Sequence, residues 1–187
     1  MARLTPTPGY FERLESQGVT RSFDLDPLEA IGIGTVGPPG RRQFFLRAAA
    51  GGESVVFNCE KVHVQGLIAR ILQLLESQGL DPGLTGEPSP PAEPGQVEWA
   101  IGELGLGYHE SRGMFVIVAR EATTEEDADQ SELATARFWA SPEQLREFAR
   151  QAAAVVASGR PQCPYCGLPI DPSGHPCPAS NGSRPVL

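Results

Sequence analysis

The sequence predicts an α+β fold, in which two βββα repeats form an antiparallel sheet packed by two helices, followed by a short cysteine-rich tail. Two segments have the apolar spacing of amphipathic helices, and three short strand-like segments precede each of them. An offset of 81 residues superposes the two helices, which indicates an internal repeat. Because hairpin-joined strands pair antiparallel and each helix has one apolar face to bury, both units are expected to share one sheet.

The first repeat is expected within residues 21–78, after a variable N-terminal extension of residues 1–20. Its strands read IGIGTVG, QFFLRA and SVVFNC; each is β-branched or aromatic and is bounded by turn formers. Its helix includes VQGLIARILQLL, residues 64–75, where apolar side chains recur at i, i+3, i+4 and i+7.

The second repeat is expected within residues 97–158, with strands that read VEWAIGELGLGY, MFVIVARE and ATARFWA. Ser141, Pro142 and Gln144 predict where its helix begins. They supply an N-cap, a proline at the first helical position and the glutamine of a capping box. The helix is expected to end before Gly159.

Two further segments are expected outside the regular elements. Residues 79–96, GLDPGLTGEPSPPAEPGQ, have few apolar side chains and enough proline to stay extended, so we interpret them as a linker between the repeats. Residues 122–133 are acidic, and we interpret them as a solvated hairpin loop.

Charge and hydropathy restrict the possible partners. The chain has 187 residues and a formal net charge of −8, which argues against broad attraction to nucleic acid or to anionic membrane. No window reaches the roughly 18 apolar residues that a membrane span needs, and the N-terminus lacks the apolar segment of a signal peptide. We therefore expect a cytoplasmic protein with no membrane partner.

The tail, residues 159–187, contains the run RPQCPYCGLPIDPSGHPCP. Cys163 and Cys166 form a C-x2-C pair, and His175 and Cys177 form an H-x-C pair. Three thiolates and one imidazole are the ligand set of a closed, structural Zn²⁺ site with no open position for water. Alternatives that stay open are unmetallated cysteines, a local disulfide, or replacement of the histidine by water or another side chain.

Other candidate residues carry weaker signals. His63, at the start of the first helix, and His109, at a hairpin tip, are typical of capping or surface histidines, and Cys59 is expected in or near the core. Arg41 and Arg42 follow the turn GPPG and could bind a phosphate or a carboxylate. The chain has no P-loop, no H-E-x-x-H and no G-x-S-x-G motif, which favours a protein that is not an enzyme.

Several of these segments resemble a known protein family. IGTVGPPGRRQFFLRA, Glu60-Lys61 before a helix, IGELGLGY and above all VVASGRPQCPYCGLPIDPSGHPCP resemble a bacterial family, of actinobacterial and Chloroflexi type, that is often labelled only "repeat protein". The resemblance covers about residues 28–182. It implies the repeat architecture, a zinc-type tail and a partnership in the bacterial cytoplasm, but no activity.

The function that these observations favour is a non-enzymatic adaptor. Its body would dock another protein, with the zinc knuckle as a rigid contact arm, and its support is the closed metal site together with the absence of catalytic motifs.

Two alternatives come from other classes. The first is single-stranded nucleic-acid binding by a body like PUR and Whirly domains, with strand aromatics as stacking platforms. Those aromatics are Phe44, Phe45, Phe115, Phe138 and Trp139, which are also explained as core residues. The second is an enzyme that acts on a phosphorylated small molecule, held by the arginine pair together with Glu60 and Lys61.

Overall fold

The computed structural model describes residues 20–38, 40–83, 85–124, 133–159, 163–166, 170 and 177–178. Within these residues, seven strands and two helices follow one another along the chain. They are β1 (Phe23–Leu25), β2 (Ala30–Val36), β3 (Gln43–Ala50), β4 (Glu53–Cys59), α1 (Lys61–Ser77), β5 (Val97–His109), β6 (Met114–Glu121), β7 (Thr135–Ala140) and α2 (Pro142–Ala157). Neither helix of this described part is long and apolar enough to cross a membrane.

All seven strands belong to one sheet, in the order β1-β7-β6-β5-β4-β3-β2. The hairpins β2–β3, β3–β4, β5–β6 and β6–β7 are antiparallel, as predicted. The pairs β4–β5 and β1–β7 are parallel, so the expectation of a wholly antiparallel sheet was wrong. Helix α1 and residues 79–96 lead the chain from the end of β4 back to the level at which β4 begins. The next strand, β5, therefore runs parallel to β4. The α+β class is confirmed.

The core lies between the sheet and the two helices, as their apolar spacing predicted. Helix α1 buries Val64, Leu67, Ile71 and Leu75, and α2 buries Leu145, Phe148, Ala149, Gln151, Ala152 and Val155. At its centre the ring of Phe57 on β4 contacts Phe23, Trp99 and Phe138, with centroid distances of 5.6, 4.4 and 5.8 Å. One aromatic cluster thus connects β1, β4, β5 and β7.

Strand β1 was not expected from the sequence. It has only three residues, Phe23, Asp24 and Leu25, which are too few for a recognisable alternation. Phe23 and Leu25 are buried in the core, whereas Asp24 accepts a hydrogen bond from the indole of Trp139 at 3.0 Å. Burial of two large side chains therefore holds β1 along β7.

The two long hairpins have matching registers. In β3–β4 the core-facing cross-strand pairs are Phe44↔Cys59, Leu46↔Phe57 and Ala48↔Val55. In β6–β7 they are Phe115↔Ala140, Ile117↔Phe138 and Ala119↔Ala136. The helices also begin alike: His63 and Gln144 each accept a hydrogen bond from the backbone N–H of the residue three positions earlier, at 3.3 and 2.8 Å.

The free edge of the sheet at β2 is covered by a glutamine of α2. Gln151 is 3% exposed, and it is the only buried polar side chain among the described residues. Its Oε1 accepts a hydrogen bond from the N–H of Ile33 at 3.0 Å, and its Nε2 donates to the C=O of Ile33 at 2.9 Å. The side-chain amide therefore bonds this strand residue as a neighbouring strand would, which protects an otherwise open edge.

The described residues of the segment 79–96, which we call the strap, lie against the same edge and against α2. Ala92 N–H donates to the C=O of Ile33 at 2.9 Å, and Arg146 and Arg150 of α2 donate to the backbone oxygens of Asp81 and Thr85, each at 2.6 Å. Helix α2 thus holds the strap through polar contacts.

Replacing Gln151 with leucine is expected to lower the free energy of unfolding by about 1–3 kcal/mol, because the buried N–H of Ile33 loses its acceptor. Urea denaturation of the full chain measures this. Gln73→Leu is the matched control: this glutamine is exposed on α1 and bonds only Arg70 among the described residues, so the expected change is within about 0.5 kcal/mol. Equal effects of the two substitutions would contradict the role given to Gln151.

Candidate metal centre

The three cysteines of the tail come together in space. The Sγ atoms of Cys163, Cys166 and Cys177 all lie within 4.8 Å of one another. Cys163 and Cys177 are 2% and 1% exposed, and Cys166 is half-buried.

The separation of the sulfurs fits a metal better than a disulfide. Sγ of Cys163 is 3.8 Å from Sγ of Cys177, whereas a disulfide bond is about 2.05 Å long. In a tetrahedral zinc site with Zn–S bonds of about 2.3 Å, two sulfurs lie about 3.8 Å apart. No disulfide joins any of the four cysteines, all of which lie among the described residues. The spacing of the three sulfurs is therefore compatible with thiolates that bind one metal ion.

The local sequence explains how the first two sulfurs converge. Residues 164–166 form a turn, so the two cysteines of the C-x2-C pair are brought to one side of it. Tyr165, in the middle of this turn, is 69% exposed. Ile170, 1% exposed, is the described apolar residue that does pack against the cysteines.

Ile170 and two cysteines are the buried apolar residues in the described part of the tail, and this burial alone is too small to order that part of the chain. Burying one isoleucine contributes about 1.5–3 kcal/mol, whereas ordering each residue costs about 1–2 kcal/mol of backbone entropy. Thiolates at these separations also repel one another unless a cation lies between them. His175, the fourth predicted ligand, lies outside the described residues.

The two arginines of the predicted anion site have different surroundings. Arg41 is exposed, and its backbone N–H bonds the C=O of Pro38 at 3.0 Å within the turn. Arg42 is half-buried, and its Nη1 donates to both the C=O and the Oγ of Ser158, each at 2.9 Å. Arg42 thus connects the start of β3 to the end of α2, a contact that the sequence did not reveal.

Histidines and aromatics that the sequence offered as candidates are engaged elsewhere. His63 Nδ1 caps the start of α1, and His109 lies beside the ring of Trp139 at 5.7 Å. Four of the five strand aromatics are at most 8% exposed; they are Phe44, Phe45, Phe115 and Phe138. Trp139 is half-buried and already stacks with Arg112 at 4.4 Å. These aromatics form the core and its border, so they offer no row of stacking platforms.

Arg42, Glu60 and Lys61, which the sequence offered together as a phosphate-binding group, line one cleft, whereas Arg41 is not among its lining residues. Sequence reasoning missed that Cys59 lines the same cleft. Lys61 is also the only lysine among the 15 basic residues of the chain.

Cys59 is a poor nucleophile. Its burial at the end of β4 raises its pKa to about 12, because the low-dielectric surroundings disfavour the thiolate.

The chain belongs to the family described as "Protein of unknown function (DUF3090)", whose family model matches residues 23–177. The match runs from β1 to Cys177 and so includes every described element and all four candidate ligands. No curated protein matches the chain, and neither does any solved structure.

The high pKa of Cys59 predicts selective alkylation. A thiol with a pKa of about 12 is roughly 0.01% thiolate at pH 8, so iodoacetamide should modify Cys59 far more slowly than an ordinary cysteine. After metal removal by a chelator, mass spectrometry should find the three tail cysteines alkylated first and Cys59 last. Unfolding in guanidinium is the control, in which all four should react alike. Equal rates for Cys59 and the tail in the folded protein would contradict this assignment.

Proposed function

We propose that this DUF3090 protein binds one zinc ion per chain through Cys163, Cys166, His175 and Cys177, and that the ion orders the tail as a docking element. The convergence of three sulfurs within 4.8 Å, two of them on buried cysteines, is the observation that carries the proposal. Zinc is favoured because sulfur-rich tetrahedral sites select it among the common divalent ions.

A site with four protein ligands supports a structural role. When bound, the ion would supply folding free energy and not Lewis-acid chemistry, since no coordination position is left for water or substrate. The cysteines would bind the ion, and the apolar side chain of Ile170 would pack against them.

We assign the docking role to the turn that contains Tyr165. Its side chain is the most exposed large hydrophobic group in the described part of the chain, and two candidate ligands flank it at 163 and 166. A bound ion would fix the direction of this aromatic group, and tyrosine is enriched among residues that dominate protein interfaces. The partner we propose is another protein in the bacterial cytoplasm. Burial of the strand aromatics removes the main support for nucleic-acid binding.

We also propose that the body, residues 21–158, is a duplication of one βββα unit. The first copy would span 21–78 and the second 97–158, with the strap at 79–96 between them and 1–20 and 159–187 as appendages. Support comes from the matching registers of the two hairpins and from the shared position of the histidine and glutamine that cap α1 and α2.

The zinc assignment predicts a specific response of the metal site to substitution. Elemental analysis of protein purified without chelator should find one zinc per chain, and the double variant Cys163→Ser/Cys166→Ser should lose it. That variant should also expose the tail to protease while thermal unfolding of the body shifts little, because the proposed tail is an appendage. Global unfolding of the variant would show that the tail is part of the core.

The fourth ligand is tested separately by cobalt substitution. His175→Ala should change the d–d absorption of the Co²⁺-loaded protein and weaken metal binding by about 10–100-fold, whereas His109→Ala, at an exposed hairpin position, should change neither. Unchanged spectra in both variants would exclude His175 as a ligand.

The docking role predicts metal-dependent contact at position 165. A photo-crosslinking amino acid placed there in the native host should capture one defined protein, and Cys163→Ser/Cys166→Ser in the same chain should abolish the product. The same amino acid at Val36, which is 41% exposed on the body, is the control. Crosslinks that are equal at the two positions, or that do not depend on the metal ligands, would contradict the docking role.

A further inference from the structure

A cleft on the body is separate from the candidate metal centre, since none of the three described tail cysteines lines it. It has a volume of about 580 Å³ and opens beside the end of β4 and the start of α1. Its polar lining includes Arg42, Asn58, Glu60 and Lys61, and its apolar lining includes Phe44 and Ile101. A cleft of this size, apolar with a few convergent polar groups, is typical of small-molecule sites.

The cleft lies where β5 separates from β4. The two strands pair only at Val56↔Val97 and Asn58↔Ala100, after which β5 continues along β6 alone. The register shifts in both pairings, and Gly102 lies at the second shift. A Cβ on Gly102 would be 2.8 Å from Cα of Ala122, so the close approach of the two backbones requires glycine here. Such bulges are frequent beside functional sites because they separate strands and redirect side chains.

Two cationic side chains, Arg42 and Lys61, line this cleft, and they have N–H donors that no described residue accepts. Arg42 uses only Nη1 in its bonds to Ser158, and within the described residues its Nε and Nη2 make no hydrogen bond. Lys61 has no ion-pair partner in the same part of the chain. In a chain with a net charge of −8 that uses arginine at every other Lys/Arg position, the single lysine lines this cleft.

The balance of charge favours a dianion over a carboxylate. Glu60 lines the same cleft and offsets one of the two positive charges. A phosphate monoester carries a charge of about −1.5 to −2 near neutral pH, so it gains more than a carboxylate does from the guanidinium fork and the ammonium group. The apolar lining would accept an uncharged organic body attached to that phosphate.

We propose that this cleft binds a small organic phosphate, with the phosphate at Arg42 and Lys61 and the organic group against Phe44 and Ile101. The proposal is independent of the metal centre and of the docking role. It assigns a binding site, and it makes no claim that the bound phosphate reacts.

The single lysine gives the test a specific reporter. Reductive methylation with ¹³C-formaldehyde keeps the positive charge and labels Lys61 and the chain's terminal amine, so one side-chain signal reports on the cleft. Phenyl phosphate should shift that signal saturably at micromolar to low millimolar concentration. Phenol, which lacks the anion, should not shift it, and inorganic phosphate, which lacks the organic group, should bind more weakly. Absence of a saturable shift with phenyl phosphate would overturn the proposal.

Calorimetric titration of variants then locates the site. Lys61→Gln should weaken phenyl phosphate binding by at least about tenfold, while Arg70→Gln, which removes one exposed charge from the same helix, should leave it unchanged. A Cβ on Gly159 would lie 4.0 Å from Nζ of Lys61, so Gly159→Leu should also block the site with all charges kept. Gly66→Leu, where a Cβ meets nothing within 4 Å, is the matched control. Equal binding by Lys61→Gln and the wild type would place the ligand elsewhere.

Discussion

The parallel pairing of β4 with β5 is the constraint on which the rest of the body depends. It joins the hairpins on either side of it into one sheet, and parallel neighbours cannot be connected by a tight turn. The chain must therefore return over the length of the sheet, which it does through α1 and the strap, residues 79–96. The position of α1 on the sheet, the contact of the strap with α2 and the cleft where β5 departs from β4 all follow from this one connection.

Local pattern predicted the regular elements well, because their signals lie in consecutive residues. The alternation in QFFLRA and MFVIVARE and the start of α2 at Pro142 after Ser141 correspond to β3, β6 and α2 as they occur. What could not be predicted depends on residues far apart in the chain. Gln151 looks like an ordinary surface residue of an amphipathic helix, and its bonds to Ile33 cross 118 positions. Burial of this amide depends on the packing of α2 against the edge strand β2, so the local sequence does not indicate it.

The two candidate sites differ in the same way. The metal centre is encoded in a stretch of fifteen residues, 163–177, so ligand spacing alone identified its cysteines, and their convergence within 4.8 Å agrees with that spacing. The cleft is assembled from the start of β3, the start of α1 and the end of α2. The contact of Arg42 with Ser158 joins residues 116 positions apart, and no sequence motif indicates it. The two proposed sites, a metal-ordered tail and a phosphate-binding cleft, therefore differ in how far apart in the sequence their residues lie.

Zinc K-edge X-ray absorption of the purified protein measures directly whether the tail holds zinc in a closed sulfur-rich site. We expect the ion to be surrounded by three sulfurs at about 2.3 Å and one nitrogen at about 2.0–2.1 Å, with no exchangeable water. A shell dominated by oxygen or nitrogen, or one with fewer than three sulfurs, would contradict this expectation.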